Sequence, residues 1–235
     1  MKISPSKFER LIRLMSAGES IDPLLLSFTE SGMQVNQGDQ AAVLIVIGKV
    51  DPINFKDYES IGDVEIFSKE TLSKLTKAFQ GEDEVSLAKA ENKIVLTGSY
   101  EELGLSLSTE SVLQTKNFKE SEYGTVLSKP EIYNAYLIDP SELKIGFGDL
   151  LKFKYNQKEL AIEVSGENYS YQKNLKVMRS NGDKSGVVNM DVTSLDKILA
   201  QLKGTMWIIF TNEPLMLTYK EPGFSVSYAM APRVV

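Results

Sequence analysis

Apolar residues recur at helical spacing in only four places along the chain. In Pro5–Ala17, Phe8, Leu11, Ile12 and Met15 share one face, and Lys7, Arg10 and Arg13 the other. Pro5 suits a first turn and Gly18 a stop. Lys69–Gln80 sets Leu72, Leu75 and Phe79 against Lys74 and Lys77, with Gly81 beyond. A third helix is expected over Pro140–Lys152, carrying Leu143, Phe147, Leu150 and Leu151, although Gly146 and Gly148 each weaken it by about 1 kcal/mol relative to Ala. The fourth is Thr193–Lys203, with Leu195, Ile198, Leu199 and Leu202 inward.

The remainder reads as strand. A short extended piece precedes each helix: Lys2–Ile3, Val64–Phe67, Tyr133–Ile138 and Val187–Val192. About three follow each: Leu24–Glu30, Met33–Val35 and Ala41–Gly48; Val85–Ala90, Lys93–Gly98 and Gly104–Ser108; Phe153–Tyr155, Leu160–Gly166 and Tyr169–Val177; Thr205–Phe210, Leu215–Tyr219 and Phe224–Ala229. Turn residues such as Ser31-Gly32, Asn212-Glu213-Pro214 and Pro222-Gly223 separate them. The order strand–helix–strand–strand–strand thus recurs four times, an α+β architecture of repeated units with helices on one face of antiparallel sheets. A polar stretch, residues 109–131, divides the units two and two and reads as an interdomain linker. The expected domains are 1–108 and 132–235.

Composition narrows the chemistry. The 235 residues include no Cys and no His, which removes disulfides, a thiolate nucleophile, the usual neutral-pH base and the commonest metal ligands. No Gly-rich phosphate loop, GxSxG or DxDxDG pattern occurs. The expectation is a protein without catalysis, cofactor or metal. A carboxylate-based hydrolase needs two convergent acids that no spacing here identifies. No apolar run of membrane-spanning length occurs, and the start carries no signal-peptide stretch, so a soluble chain is expected.

The net charge of −6 argues against a nucleic-acid partner until the charges are placed. The four expected helices together carry +5, leaving −11 in strands and loops. A positive helical face on an acidic molecule can still attract phosphate. Lys and Arg opposite an apolar stripe are also what any solvated helix shows.

The near-terminal stretch EPLMLTYKEPGFSVSYAMAP, Glu213–Pro232, resembles the last hairpin of sliding clamps of the proliferating cell nuclear antigen type. FKDYES (Phe55–Ser60), SGMQVNQGD (Ser31–Asp39) and PEIYNAYLIDPSEL (Pro130–Leu143) are similar in the same order, so the resemblance spans the chain. It implies two clamp-type domains of two units each, and three chains joined head to tail, as a homotrimer or a hetero-trimer, around double-stranded DNA. Such rings tether DNA polymerase and other replication and repair enzymes and meet a clamp loader. They act in the cytoplasm at the nucleoid in a prokaryote, or in the nucleus. An assembly of β-rich units that never binds DNA is the alternative.

Residue by residue, the resemblance implies DNA-facing roles for Lys7, Arg10, Arg13, Lys74, Lys77, Lys144, Lys152, Lys197 and Lys203. A client-peptide pocket would be lined by Val35, Val112, Leu113, Pro214, Tyr228, Ala231 and Pro232, the tail after Tyr228 staying unpaired for a client. Gly38 departs from the larger apolar residue often found there and implies a shallower pocket. Head-to-tail contacts are expected from Gly104–Ser108 of one chain and Tyr169–Leu175 of the next, with Leu105, Leu107, Tyr169 and Tyr171 as contact residues.

Overall fold

The computed structural model describes residues 1–39, 43–90, 93–106, 116–117, 130–166 and 168–233. Two compact units emerge: Met1–Phe118 with Glu221–Val226, and Lys119–Lys220 with Ser227–Val235. All strand pairing described below is antiparallel.

Unit 1 contains β1 (Lys2–Ile3), α1 (Pro5–Met15), β2 (Leu24–Thr29), β3 (Gly32–Gly38), β4 (Leu44–Val50), β5 (Gly62–Ile66), α2 (Ser68–Ala78), β6 (Val85–Ala90), β7 (Lys93–Thr97), β8 (Glu102–Ser106) and β9 (Lys116–Asn117). One sheet has the order β1-β6-β7-β8, while β5, β2, β3 and β4 neighbour one another in a second and β9 pairs with β3. The helices pack on each other, burying Phe8, Leu11, Ile12 and Met15 of α1 and Leu72 and Leu75 of α2, with Phe79 beyond it. Each such side chain stabilises the fold by roughly 1.5–3 kcal/mol relative to exposure. Met15 lies directly on Gly48 of β4, where an added Cβ would come within 2.0 Å of its sulfur. A larger residue at Gly48 would force the Met15 side chain to move aside.

A buried amide completes the β2–β3 pairing. The ladder runs only from Ser27↔Gln34 to Thr29↔Gly32. Beyond it, the fully buried Gln37 accepts the Leu25 N–H at 2.7 Å and donates to the Pro23 carbonyl at 3.4 Å. The FKDYES stretch is pinned to the same strand: Tyr58 donates its hydroxyl to the Thr29 carbonyl and Ser60 to the Phe28 carbonyl, at 2.8 and 2.7 Å.

Unit 2 contains β10 (Ile132–Ile138), a 3-10 turn (Pro140–Leu143), β11 (Leu150–Tyr155), β12 (Leu160–Gly166), β13 (Tyr169–Asn174), β14 (Val177–Gly182), β15 (Gly186–Asp191), α3 (Val192–Leu199), β16 (Met206–Thr211) and β17 (Leu215–Glu221). The last strand, β18, spans Phe224–Met230. One sheet has the order β13-β12-β11-β15, and β14, β10, β16 and β17 are successive neighbours in another. Its core is aromatic. Phe210 stacks on Tyr155 at 4.2 Å and meets Phe153 and Tyr136 edge-on at 5.7 and 5.9 Å. The buried Asn134 donates to Tyr136 and the Asn156 carbonyl and accepts the Lys184 N–H, so no part of its amide is left unpaired.

Three sequence expectations change here. The helix expected over Pro140–Lys152 does not form. Asp139 accepts the Ser141 N–H at 2.8 Å and starts a 3-10 turn that ends at Leu143. Gly146 and Gly148 then take left-handed φ values of +68° and +86°, which L side chains resist and which no helix continues through. From Leu150 onward the alternation of half-buried and buried residues has period two, and β11 pairs on both sides. The third unit is therefore built without its helix. The single strand expected over Tyr169–Val177 is two, β13 and β14, in different sheets, with buried Leu175 between them. The fourth helix also ends earlier than expected, at Leu199.

Replacing Gln37 with Leu leaves the Leu25 N–H without its acceptor, and an unsatisfied buried donor costs about 1–3 kcal/mol. We expect a loss of that size in urea titrations of Gln37→Leu, while Gln34→Leu, on the exposed side of the same strand, stays within about 0.5 kcal/mol of the parent.

Candidate nucleic-acid interface and assembly edges

The basic residues on the helices separate into two classes once their partners are visible. Arg10 of α1 grips Glu221 through both guanidinium nitrogens, at 2.5 and 2.8 Å. Arg13 bridges Glu9 and Glu19, each at 3.0 Å. Lys74 of α2 pairs with Glu70 one turn earlier. Lys152 is on β11 rather than a helix, a correction that follows from the missing third helix, and lies 3.6 Å from Glu163. Lys154 holds the same carboxylate and, with Lys152, keeps it below the usual Glu range. These five bases are partly neutralised within the chain.

Lys7, Lys77, Lys144, Lys197 and Lys203 are exposed and form no ion pair among the described residues. Lys69, which the sequence reading passed over, belongs with them. It sits about 80° around α2 from Lys77. The signal was present in the spacing: Glu70 and Lys74 are an i,i+4 pair with the acid N-terminal, the favoured orientation, so Lys74 was the base most expected to be spoken for. Among the helix bases, the exposed, unpaired set has Lys69 and Lys77 on α2, Lys7 on α1 and Lys197 on α3.

Asp196 of α3 accepts a backbone hydrogen bond from Gly146 in the loop that replaces the missing helix. Burial raises its carboxyl above the ordinary Asp range, and the hydrogen bond offsets only part of this. α3 packs on the 3-10 turn.

The sheets end in several edge strands, among them β8 in unit 1 and β13 in unit 2. β8 pairs only with β7, and β13 only with β12, among the described residues. Leu105 of β8 points into the core and is 4 % exposed. Tyr169 and Tyr171 of β13 are 45 % and 39 % exposed. Phe147 meets both rings edge-on, at 5.7 and 5.6 Å. It was expected inside a helix, and its place beside the strand edge follows from the glycines that flank it. Leu107 lies outside the described residues.

The chain matches no model of a known protein family and no curated protein. Solved structures do match it over their full length. The PCNA2–PCNA3 complex of Sulfolobus tokodaii aligns with a TM-score of 0.76 at 19% identity, covering 99% of this chain and 98% of that one. PCNA of A. fulgidus, bound to the C-terminal region of FEN-1, aligns at 0.79 and 16% identity, covering 100% and 98%. The proliferating cellular nuclear antigen of Entamoeba histolytica aligns at 0.81 and 14% identity, covering 99% and 98%. The chain has the PCNA fold.

Within that PCNA fold, the expected pocket residues stand as follows. Val35 is buried in β3, and Tyr228 is buried in β18. Pro214 is half-buried in a turn that Thr211 fastens, donating its hydroxyl to the Pro214 carbonyl at 2.8 Å and accepting the Glu213 N–H at 3.1 Å. Ala231 and Pro232 are exposed beyond β18. Val112 and Leu113 lie outside the described residues. Gly38 ends β3, opposite Ile45 and Lys116. Among the described residues no group of three or more acidic side chains could hold a metal ion, and no helix is long and apolar enough to cross a membrane.

The raised Asp196 carboxyl has a testable sign. A folded-state value above the unfolded one contributes stability at low pH that is lost as pH rises through the folded value. Asp196→Asn keeps the acceptor for Gly146 and removes the charge. Its melting temperature should equal or exceed that of the parent at pH 7. That advantage should vanish below about pH 3.9, the ordinary Asp value.

Proposed function

We propose that the chain is a DNA sliding clamp: a non-catalytic ring subunit that encircles duplex DNA and tethers DNA polymerase and other replication and repair enzymes. The observation that carries this reading is the pair of open antiparallel edges, β8 in one unit and β13 in the other, on a chain with the PCNA fold. Two different edges on one chain make a heterologous contact, which closes into a ring when the rotation allows. Three chains joined β8 to β13 complete it, as a homotrimer or with sister subunits such as those of the PCNA2–PCNA3 complex. Leu107, Tyr169 and Tyr171 serve the joints; Leu105, expected as a contact, is buried in the core and does not.

Exposed lysines on the helices provide the DNA contact. Lys69 and Lys77 lead it, Lys7 and Lys197 add to it from α1 and α3, and Lys144 and Lys203 from the loops that follow the 3-10 turn and α3. Contacts to phosphate alone carry no sequence information and so permit sliding. Arg10, Arg13, Lys74 and Lys152 act mainly inside the chain. Clients of the FEN-1 kind, seen bound to the A. fulgidus protein, engage Val112, Leu113, Pro214, Ala231 and Pro232, whereas Val35 and Tyr228 are buried and offer no surface. A clamp loader is a further partner, and the site of action is wherever the cell keeps its DNA.

The direct test is topological. The chain loaded on a nicked circular plasmid should co-elute with it and be released when the plasmid is cut once. Loss from circle and linear DNA at the same rate would reject encirclement. A second test separates the lysines. Lys69→Glu with Lys77→Glu should lower the slope of log affinity for duplex DNA against log salt by about 1.8, at roughly 0.9 per phosphate contact. Lys74→Glu should change it by less than half as much, and equal effects would show that the partnered and exposed lysines act alike.

A further inference from the structure

The C-terminal tail does not simply leave the fold. Met230 is buried at the end of β18, and Ala231 and Pro232 are exposed. Arg233 then returns to unit 2. Its N–H donates to the Asn189 carbonyl at 2.8 Å, and its Nη1 lies 3.9 Å from Asp191 Oδ2. Asn189 and Asp191 are alternate residues of β15, whose strand pairing is with β11 on one side only among the described residues. The tail thus occupies the other side of an edge strand. Between the two anchors is a two-residue arch. The Ala231 N–H and the carbonyls of Ala231 and Pro232 make no hydrogen bond to described residues. Pro232 has no N–H to satisfy and a fixed φ, so the arch is short and stiff.

We infer that Arg233 is a clasp: it holds Ala231–Pro232 in place as a ready-made backbone edge for an extended apolar peptide. This rests on the client-binding role proposed above. A peptide that pairs with a loose tail must order that tail as it binds, and a tail ordered beforehand spares the cost. The ion pair is exposed, at 57% and 44%, so it acts with the backbone hydrogen bond rather than alone. Arg233 is a positioning residue in this account and touches β15, not the client.

Fluorescence anisotropy on the full chain tests it, with a labelled peptide of the A. fulgidus FEN-1 C-terminal region as the probe. Asp191→Arg should weaken binding about three- to ten-fold, somewhat beyond the loss of one exposed pair because like charges now face each other. The exchanged pair, Asp191→Arg with Arg233→Asp, should return the affinity to within about two-fold, since the cycle isolates the pairwise interaction. Parent-like binding by Asp191→Arg overturns the clasp. So does an exchanged pair that stays weak, because Arg233 would then be contacting the peptide itself. Backbone amide exchange at Arg233 separates this failure from failure of the client reading. A protected Arg233 amide that Asp191→Arg exposes, in a chain that binds no peptide, rejects the client role while the clasp stands as a structural contact. An unprotected amide in the parent rejects the clasp whatever the peptide does.

Discussion

A strand at the edge of a sheet presents a row of N–H and C=O groups that water or another strand must satisfy, and natural proteins seldom leave such an edge long and flat. β8 and β13 are among the strands in that position. Neither is shortened to a bridge or capped by a proline, and one carries two exposed tyrosines. Two other edges carry local devices. In β14 the register against β10 shifts between Leu137 and Ile138, which leaves Met178 as the extra residue of a bulge. β15 is met by Arg233 of the tail. β5 is a further edge, paired only with β2 among the described residues, while β8 and β13 belong to different units, a division that suits head-to-tail assembly.

Charge is organised by the same logic of partners rather than by totals. An acidic chain at −6 keeps a set of exposed helical lysines, while Arg10, Arg13 and Lys74 are already matched to carboxylates. Arg10 ties α1 to Glu221, more than two hundred residues away in sequence. Arginine suits that role because its fork meets a carboxylate with two parallel bonds. Lysine, a compact and well-hydrated charge, suits a surface that holds phosphate loosely.

Most of the architecture was legible in the sequence because burial writes a period into it. The α1 and α2 stripes, the alternating strands of the last hairpin and the punctuation at Gly18 and Gly81 all follow from local rules. Where the reading went astray, two periods competed. Leu143, Phe147, Leu150 and Leu151 match a helix on paper, but Leu151, Phe153 and Tyr155 match a strand, and the positive-φ glycines decided for the strand. Lys152 changed its role with that decision. Long-range capping was beyond local reading: Asp22 accepts the Ser68 N–H at 2.7 Å and so caps α2 from a loop forty-six residues earlier. Of the candidate site, the basic helices were visible from the sequence. Which bases stay free depends on tertiary partners such as Glu221, which no window of sequence around Arg10 contains. Lys69 and Phe147 acquired their places only once those partners and the missing helix were known.

Ring closure needs the β8 and β13 edges to find each other on successive copies. Light scattering of the purified chain across a dilution series tests it most directly. The account predicts a species of three times the 26.2 kDa chain mass that persists on dilution and falls to single chains when Tyr171→Asp places a charge on β13. A single-chain mass at every concentration, unchanged by that substitution, would contradict it.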